Sequence, residues 1–95
     1  MLDKIKLALR ISHNKLDDDI QHNITAALLD MQRVGIKVDD KPDDKPDDII
    51  CSACEMYIKW QYDYLGKGAQ WERNYTQLRN ALSQSSNYMD GDGNV

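Results

Sequence analysis

The chain has 95 residues, 41% of them apolar and 29% charged, with 16 acidic side chains against 12 basic ones. Those proportions describe one small globular domain burying about 60–65% of its unfolded surface. A net charge of -4 argues against tight binding to a phosphate backbone, which requires a basic surface, without excluding a small local basic face at Lys4, Lys6 and Arg10.

Leu2, Ile5, Ala8, Leu9 and Ile11 recur at helical intervals, so the first dozen residues are expected to form a short amphipathic helix ended by Ser12-His13-Asn14. Asn14 is the expected N-cap of a second helix, whose first turn carries Asp17, Asp18 and Asp19 where the helix macrodipole favours negative charge. Its apolar stripe runs through Leu16, Ile20, Ile24, Ala27, Leu28, Met31 and Val34 to a stop at Gly35. Lys41-Pro42-Asp43-Asp44 is then repeated as Lys45-Pro46-Asp47-Asp48. Each proline removes a backbone donor and pushes the residue before it toward extended geometry, so this run is expected to be a solvated loop. Two copies of so short a unit are loop expansion, not an architectural repeat.

A third helix is expected from about Asp47 to Leu65, with Ile49, Ile50, Ala53, Cys54, Tyr57, Ile58 and Leu65 on its apolar face. Gly66-Lys67-Gly68 breaks it. The fourth carries Trp71, Tyr75, Leu78 and Leu82 in steps of four, three and four. Beyond Gln84 the apolar content falls too low to hold structure unaided. The expected fold is all-α, a small bundle of about four helices over residues 1–84 with a flexible C-terminal tail over 85–95.

No pattern here builds a catalytic centre, and neither an enzyme activity nor a cofactor is expected. Cys51-x-x-Cys54 has the spacing of a metal or redox pair, but zinc needs four ligands, and His13 and His22 stand at non-finger spacing beyond the proline loop. The two thiols are read as small core residues on adjacent turns. Neither histidine has a serine or cysteine at a spacing that would activate it. The paired aspartates Asp39-Asp40, Asp43-Asp44 and Asp47-Asp48 lack the alternation, central glycine and closing glutamate of a calcium loop. Successive helical residues turn by about 100°, so Tyr57, Trp60 and Tyr62 cannot all be buried on one side. Trp60 or Tyr62 is therefore expected to project toward solvent or a neighbouring subunit, where large amphipathic rings are favoured.

No stretch approaches the roughly 20 apolar residues of a membrane helix, and two cysteines are too few for a secreted disulfide scaffold. A soluble cytoplasmic protein is expected.

Taken in order, the segment Leu2 to Ile11, Leu16-Asp17-Asp18-Asp19-Ile20, Ala26-Ala27, Val34-Gly35-Ile36, the acidic proline loop, Tyr57-Ile58-Lys59 and Arg73-Asn74-Tyr75-x-x-Leu78-Arg79-x-x-Leu82-Ser83 resembles the tailed-bacteriophage head-tail connector, or adaptor, family. The likeness covers residues 2–84. The Lys-Pro-Asp-Asp duplication, the two cysteines and the Tyr62-Asp63-Tyr64-Leu65-Gly66 ending depart from its pattern. The resemblance implies a non-enzymatic virion protein at the head-tail interface, forming a dodecameric ring beneath the portal protein. Such a ring extends the DNA channel, lets duplex DNA pass without sequence preference, and docks the next head-completion or tail connector component. It also implies that the tail orders against portal or neighbour, with Tyr88 and Met89 as its anchors beside Trp60 and Tyr62 as interface residues. A closed ring needs two different complementary patches on each subunit, and Lys4, Lys6 and Arg10 against Asp17 to Asp19 or Asp43 to Asp48 are the candidates. The alternative is a small helical DNA-binding or regulatory protein, whose second and third helices would need the three- or four-residue turn of a helix-turn-helix.

Overall fold

The computed structural model describes residues 1–38 and 48–84. The architecture is all-α. Helix α1 spans Leu2–Ala8, α2 Asp17–Arg33, α3 Asp48–Gln61 and α4 Gly68–Ser83, with a single 3₁₀ turn at Tyr64–Gly66 joining the last two. The paired-aspartate loop and the tail after Gln84 lie outside the described residues.

The third helix is the centre of the bundle because its apolar positions cover a wide face. Ile50, Cys51, Ala53, Cys54 and Ile58 are all buried, and α3 packs against α1, α2 and α4. From α2 come Ile20, Ile24, Ala27 and Met31, in steps of four, three and four that keep them on one face. Ile5 and Leu9 plug one end, Ile36 folds in after α2, and Tyr75 and Leu82 complete the core from α4. The helices lie in a flat slab with extents of 44 × 32 × 17 Å. At about 10 Å per helix diameter, 17 Å of thickness between Cα extremes leaves room for little more than two layers.

Helix ends depart from the sequence reading in informative ways. The first helix stops at Ala8, short of the dozen residues expected. Arg10 takes a left-handed conformation at φ 60°, with Arg10 N–H donating to Leu7 O at 3.1 Å and Ile11 N–H to Lys6 O at 2.9 Å. That pair of bonds is a Schellman closure made without glycine. The same closure recurs at Gly35, φ 91°, where Gly35 N–H reaches Gln32 O at 2.9 Å and Ile36 N–H reaches Met31 O at 3.0 Å, so the expected stop is present. Asn14 does not cap α2. The N-cap is Leu16, with no side-chain cap bond, and Asn14 Oδ1 instead accepts from Lys6 Nζ at 2.9 Å.

The third helix ends at Gln61, four residues before the expected Leu65, because the chain turns left-handed at Asp63 (φ 48°), Leu65 (φ 57°) and Gly66 (φ 72°). This folds α4 back onto α3. Asp63 Oδ1 accepts the Gly68 N–H at 2.8 Å, so Asp63 satisfies one of the unpaired donors that open α4. Fourteen residues, 34–47, separate α2 from α3, far more than a helix-turn-helix connection allows.

Candidate interface groove

Where α2, α3 and α4 meet on one side of the slab they leave an open groove of about 560 Å³, lined by Leu29, Asp30 and Arg33, by Tyr57 and Trp60, and by Glu72, Tyr75 and Arg79. Its aromatic wall is built by helical spacing. Tyr57 and Trp60 lie three apart on α3 and meet edge to face at 5.5 Å between ring centroids. Tyr75 comes across from α4 to meet Tyr57 edge-on at 5.3 Å and Trp60 at 6.3 Å. Edge-to-face aromatic pairs of this kind contribute about 0.5–1.5 kcal/mol beyond area burial. Trp60 is half-buried, one face in this cluster and the rest on the groove.

The floor holds an ionic clasp that joins α2 to α4. Asp30 Oδ2 accepts from Tyr75 Oη at 2.6 Å and from Arg79 Nη1 at 2.9 Å, while Oδ1 accepts from Arg33 one turn along α2. Burial alone would raise the Asp30 pKa, yet the donors from Tyr75, Arg79 and Arg33 more than offset it, and the carboxyl is held below the usual range. Tyr75 is pushed far the other way, first by burial and then by the Asp30 carboxylate. The clasp stays ionised on one side and protonated on the other across all ordinary pH.

Tyr62 is half-buried beneath the opposite end of α2, where its hydroxyl donates to Asp19. Burial and that carboxylate push the phenol up to about 12. Lys6, expected to help form a patch for a neighbour, pairs within the chain with Asp17 at 2.7 Å, so part of that charge is already spent. Lys59 is the one buried charged side chain among the described residues, 9% exposed. It donates to Glu55 at 2.9 Å and lies over the rings of Trp71 at 4.6 Å and Tyr64 at 5.2 Å, the environment that lets an ammonium leave water.

Cys51 and Cys54 are both buried free thiols. Burial pushes the Cys54 thiol up to about 12, so at neutral pH it supplies almost no thiolate, the species that attacks disulfides or binds metal. His13 and His22 are exposed and lie on different elements. Tyr88 and Met89 lie outside the described residues. The Asp30 clasp escaped the sequence reading, although Tyr75 and Arg79 at a spacing of four, opposite an Asp30/Arg33 pair at a spacing of three, was a signal available to it.

The helices thus build surface and clasp, with no group of three or more His, Cys, Asp or Glu positioned for a metal among the described residues. A family model described as Phage connector protein matches residues 1–89. The chain belongs to the phage connector protein family. Neither the curated proteins nor the solved structures yield a match. As a phage connector the chain is a structural component of the virion that works by contact with other head and tail proteins. The resemblance drawn from residue order is therefore correct at the level of family. No helix among the described residues is long and apolar enough to cross a membrane.

Proposed function

We propose that this connector is a head-tail adaptor, a ring of identical subunits beneath the portal protein that lengthens the DNA channel and offers its far side to the next head-completion or tail component. The observation that carries this reading is the family match over residues 1–89. Exposed leucines support it. Leu7, Leu65 and Leu29 are 78%, 76% and 59% exposed, and apolar groups left at the surface are suited to repeated head-to-tail contact. Trp60 and Tyr62 are proposed as subunit or partner contacts from the folded domain, residues 1–84, and Tyr88 and Met89 as contacts from the tail, residues 85–95. A dodecamer is the proposed stoichiometry. A net charge of -4 suits a conduit through which duplex DNA slides, since a basic lumen would retain the strand.

Native mass spectrometry over a concentration series, with negative-stain images and with portal protein added in a second series, tests the proposal. Closed rings with a central opening wide enough for duplex DNA are the expected result. A chain that stays monomeric with portal present and is absent from purified particles would overturn it.

A further inference from the structure

The charged side chains that line the groove between α2, α3 and α4 are unevenly paired. Arg33 and Arg79 are both held by the Asp30 carboxylate. Glu72 is exposed and makes no ion pair among the described residues. It stands one helical turn before Tyr75 on α4, which places it about 5–6 Å along the helix surface from the aromatic wall of Tyr75, Tyr57 and Trp60. The groove thus presents an apolar wall with an unmatched negative charge beside it.

The turn between α3 and α4 presents the converse. Leu65 stands 76% exposed at φ 57°, so the backbone holds an apolar side chain out in water in a conformation that an L-residue adopts only at a cost. Asp63 Oδ1 is engaged by the Gly68 N–H, and the other charge of the turn is Lys67, exposed and without an ion pair among the described residues. Two residues separate Lys67 from Leu65, a backbone span of at most about 7 Å. A leucine knob beside an ammonium therefore matches, in chemistry and in spacing, an aromatic wall beside a carboxylate. Leu65 is exposed although it follows Trp60 by five residues, so the groove of its own subunit does not hold it. The volume of about 560 Å³ admits a leucine from outside.

We infer that Leu65 of one subunit seats in the groove of a second copy, against Trp60, Tyr57 and Tyr75, with Lys67 paired to Glu72. Knob and groove are different patches of one surface, so the contact is heterologous and propagates head to tail. The inference rests on the connector reading and deepens it by naming the two surfaces that identical subunits join. Leu29, 59% exposed among the α2 residues of the groove, is covered by the same contact.

A photocrosslinker in the full-length chain tests the contact. Leu65 is replaced by p-benzoylphenylalanine in ordinary and in heavy-nitrogen-labelled protein, the two are mixed and irradiated with and without portal protein, and the joined peptides are mapped by mass spectrometry. Light-to-heavy crosslinks from position 65 to residues 26–30, 57–60 or 72–79 are expected. Crosslinks confined to single chains, crosslinks between chains at other faces, or none under either condition would overturn the inference. Charge reversal gives a second readout that leaves the core untouched, because both side chains are exposed. Lys67→Glu and Glu72→Lys are each expected to weaken self-association about three- to tenfold, the effect of one exposed charge pair turned repulsive. The double variant restores the pair in reversed order and should recover the parent's assembly in native mass spectrometry. Single variants that assemble like the parent, or a double variant no better than either, would sink the contact as well. Rings on the portal without the groove crosslinks remove this contact and leave the connector reading standing. Groove crosslinks between chains without rings under any condition do the reverse.

Discussion

Asp30 ties α2 to α4, because its one carboxylate receives donors from both helices. Replacing it with Ala leaves the Tyr75 hydroxyl and the partly buried Arg79 without their acceptor. Hydrogen bonds to a charged group are each worth about 1.5–3 kcal/mol, reduced where water reaches them. Asp30→Ala is expected to cost about 1–3 kcal/mol in urea unfolding, and Asp30→Asn somewhat less. The sign of the pH dependence follows from the depressed folded pKa. The Asp30 contribution is complete above the unfolded value of 3.8 and is lost as pH falls below it through the folded value. A stability profile between pH 2 and 6 for the native chain and Asp30→Ala should converge at the acid end. Parallel curves would mean that the clasp contributes nothing.

Helix ends are where element-scale reasoning can be checked most directly. Arg10 holds φ 60° to close α1, a conformation that costs an L-residue about 1–2 kcal/mol. Arg10→Gly removes that cost and adds about 0.5–1 kcal/mol of backbone entropy to be lost, so a net gain of up to about 1 kcal/mol is expected in chemical denaturation. Gly68 behaves in the opposite way. Alanine is the better helix former by up to about 1 kcal/mol, but a Cβ at Gly68 would lie 2.6 Å from Asp63 Oδ1, 3.2 Å from Asp63 Cα and 3.3 Å from Trp60 O. Two of those neighbours are backbone and cannot rotate away. The overpacking cost of about 1–3 kcal/mol therefore wins, and Gly68→Ala should lower the midpoint despite its propensity.

These same ends separate what was legible in the sequence from what was not. The stripe of α2, its stop at Gly35 and the family's residue order were readable because period and glycine placement are local signals. The end of α1 was not, since a Schellman closure on arginine contradicts the residue preference that announces it. Nor was the end of α3, because Leu65 continues the apolar period while its backbone has already turned left-handed. Asn14 had the right chemistry for a cap, but Lys6, eight residues away, took its side chain. The groove depends on which helices become neighbours, and periodicity gives each helix a face without naming the face it meets.

For the molecule as a whole, Leu65 shows what a free subunit does not need. It is 76% exposed at φ 57°, so a bulky side chain is held in a strained backbone conformation while burying little of itself. Folding gains nothing from that combination, and strain retained at an exposed position points to a contact made elsewhere. Covering one leucine side chain is worth about 1.5–3 kcal/mol, and in a closed ring the contact repeats at every interface, so a modest loss per subunit becomes a large one for assembly. Leu65→Gly should raise the stability of the isolated chain by up to about 1 kcal/mol, as at Arg10. Under the proposed ring reading, the same substitution should reduce assembly with portal protein. Differential scanning calorimetry of the free chain and native mass spectrometry of the portal mixture read the two effects separately. A variant that is more stable yet assembles as well as its parent would remove Leu65 from the interface.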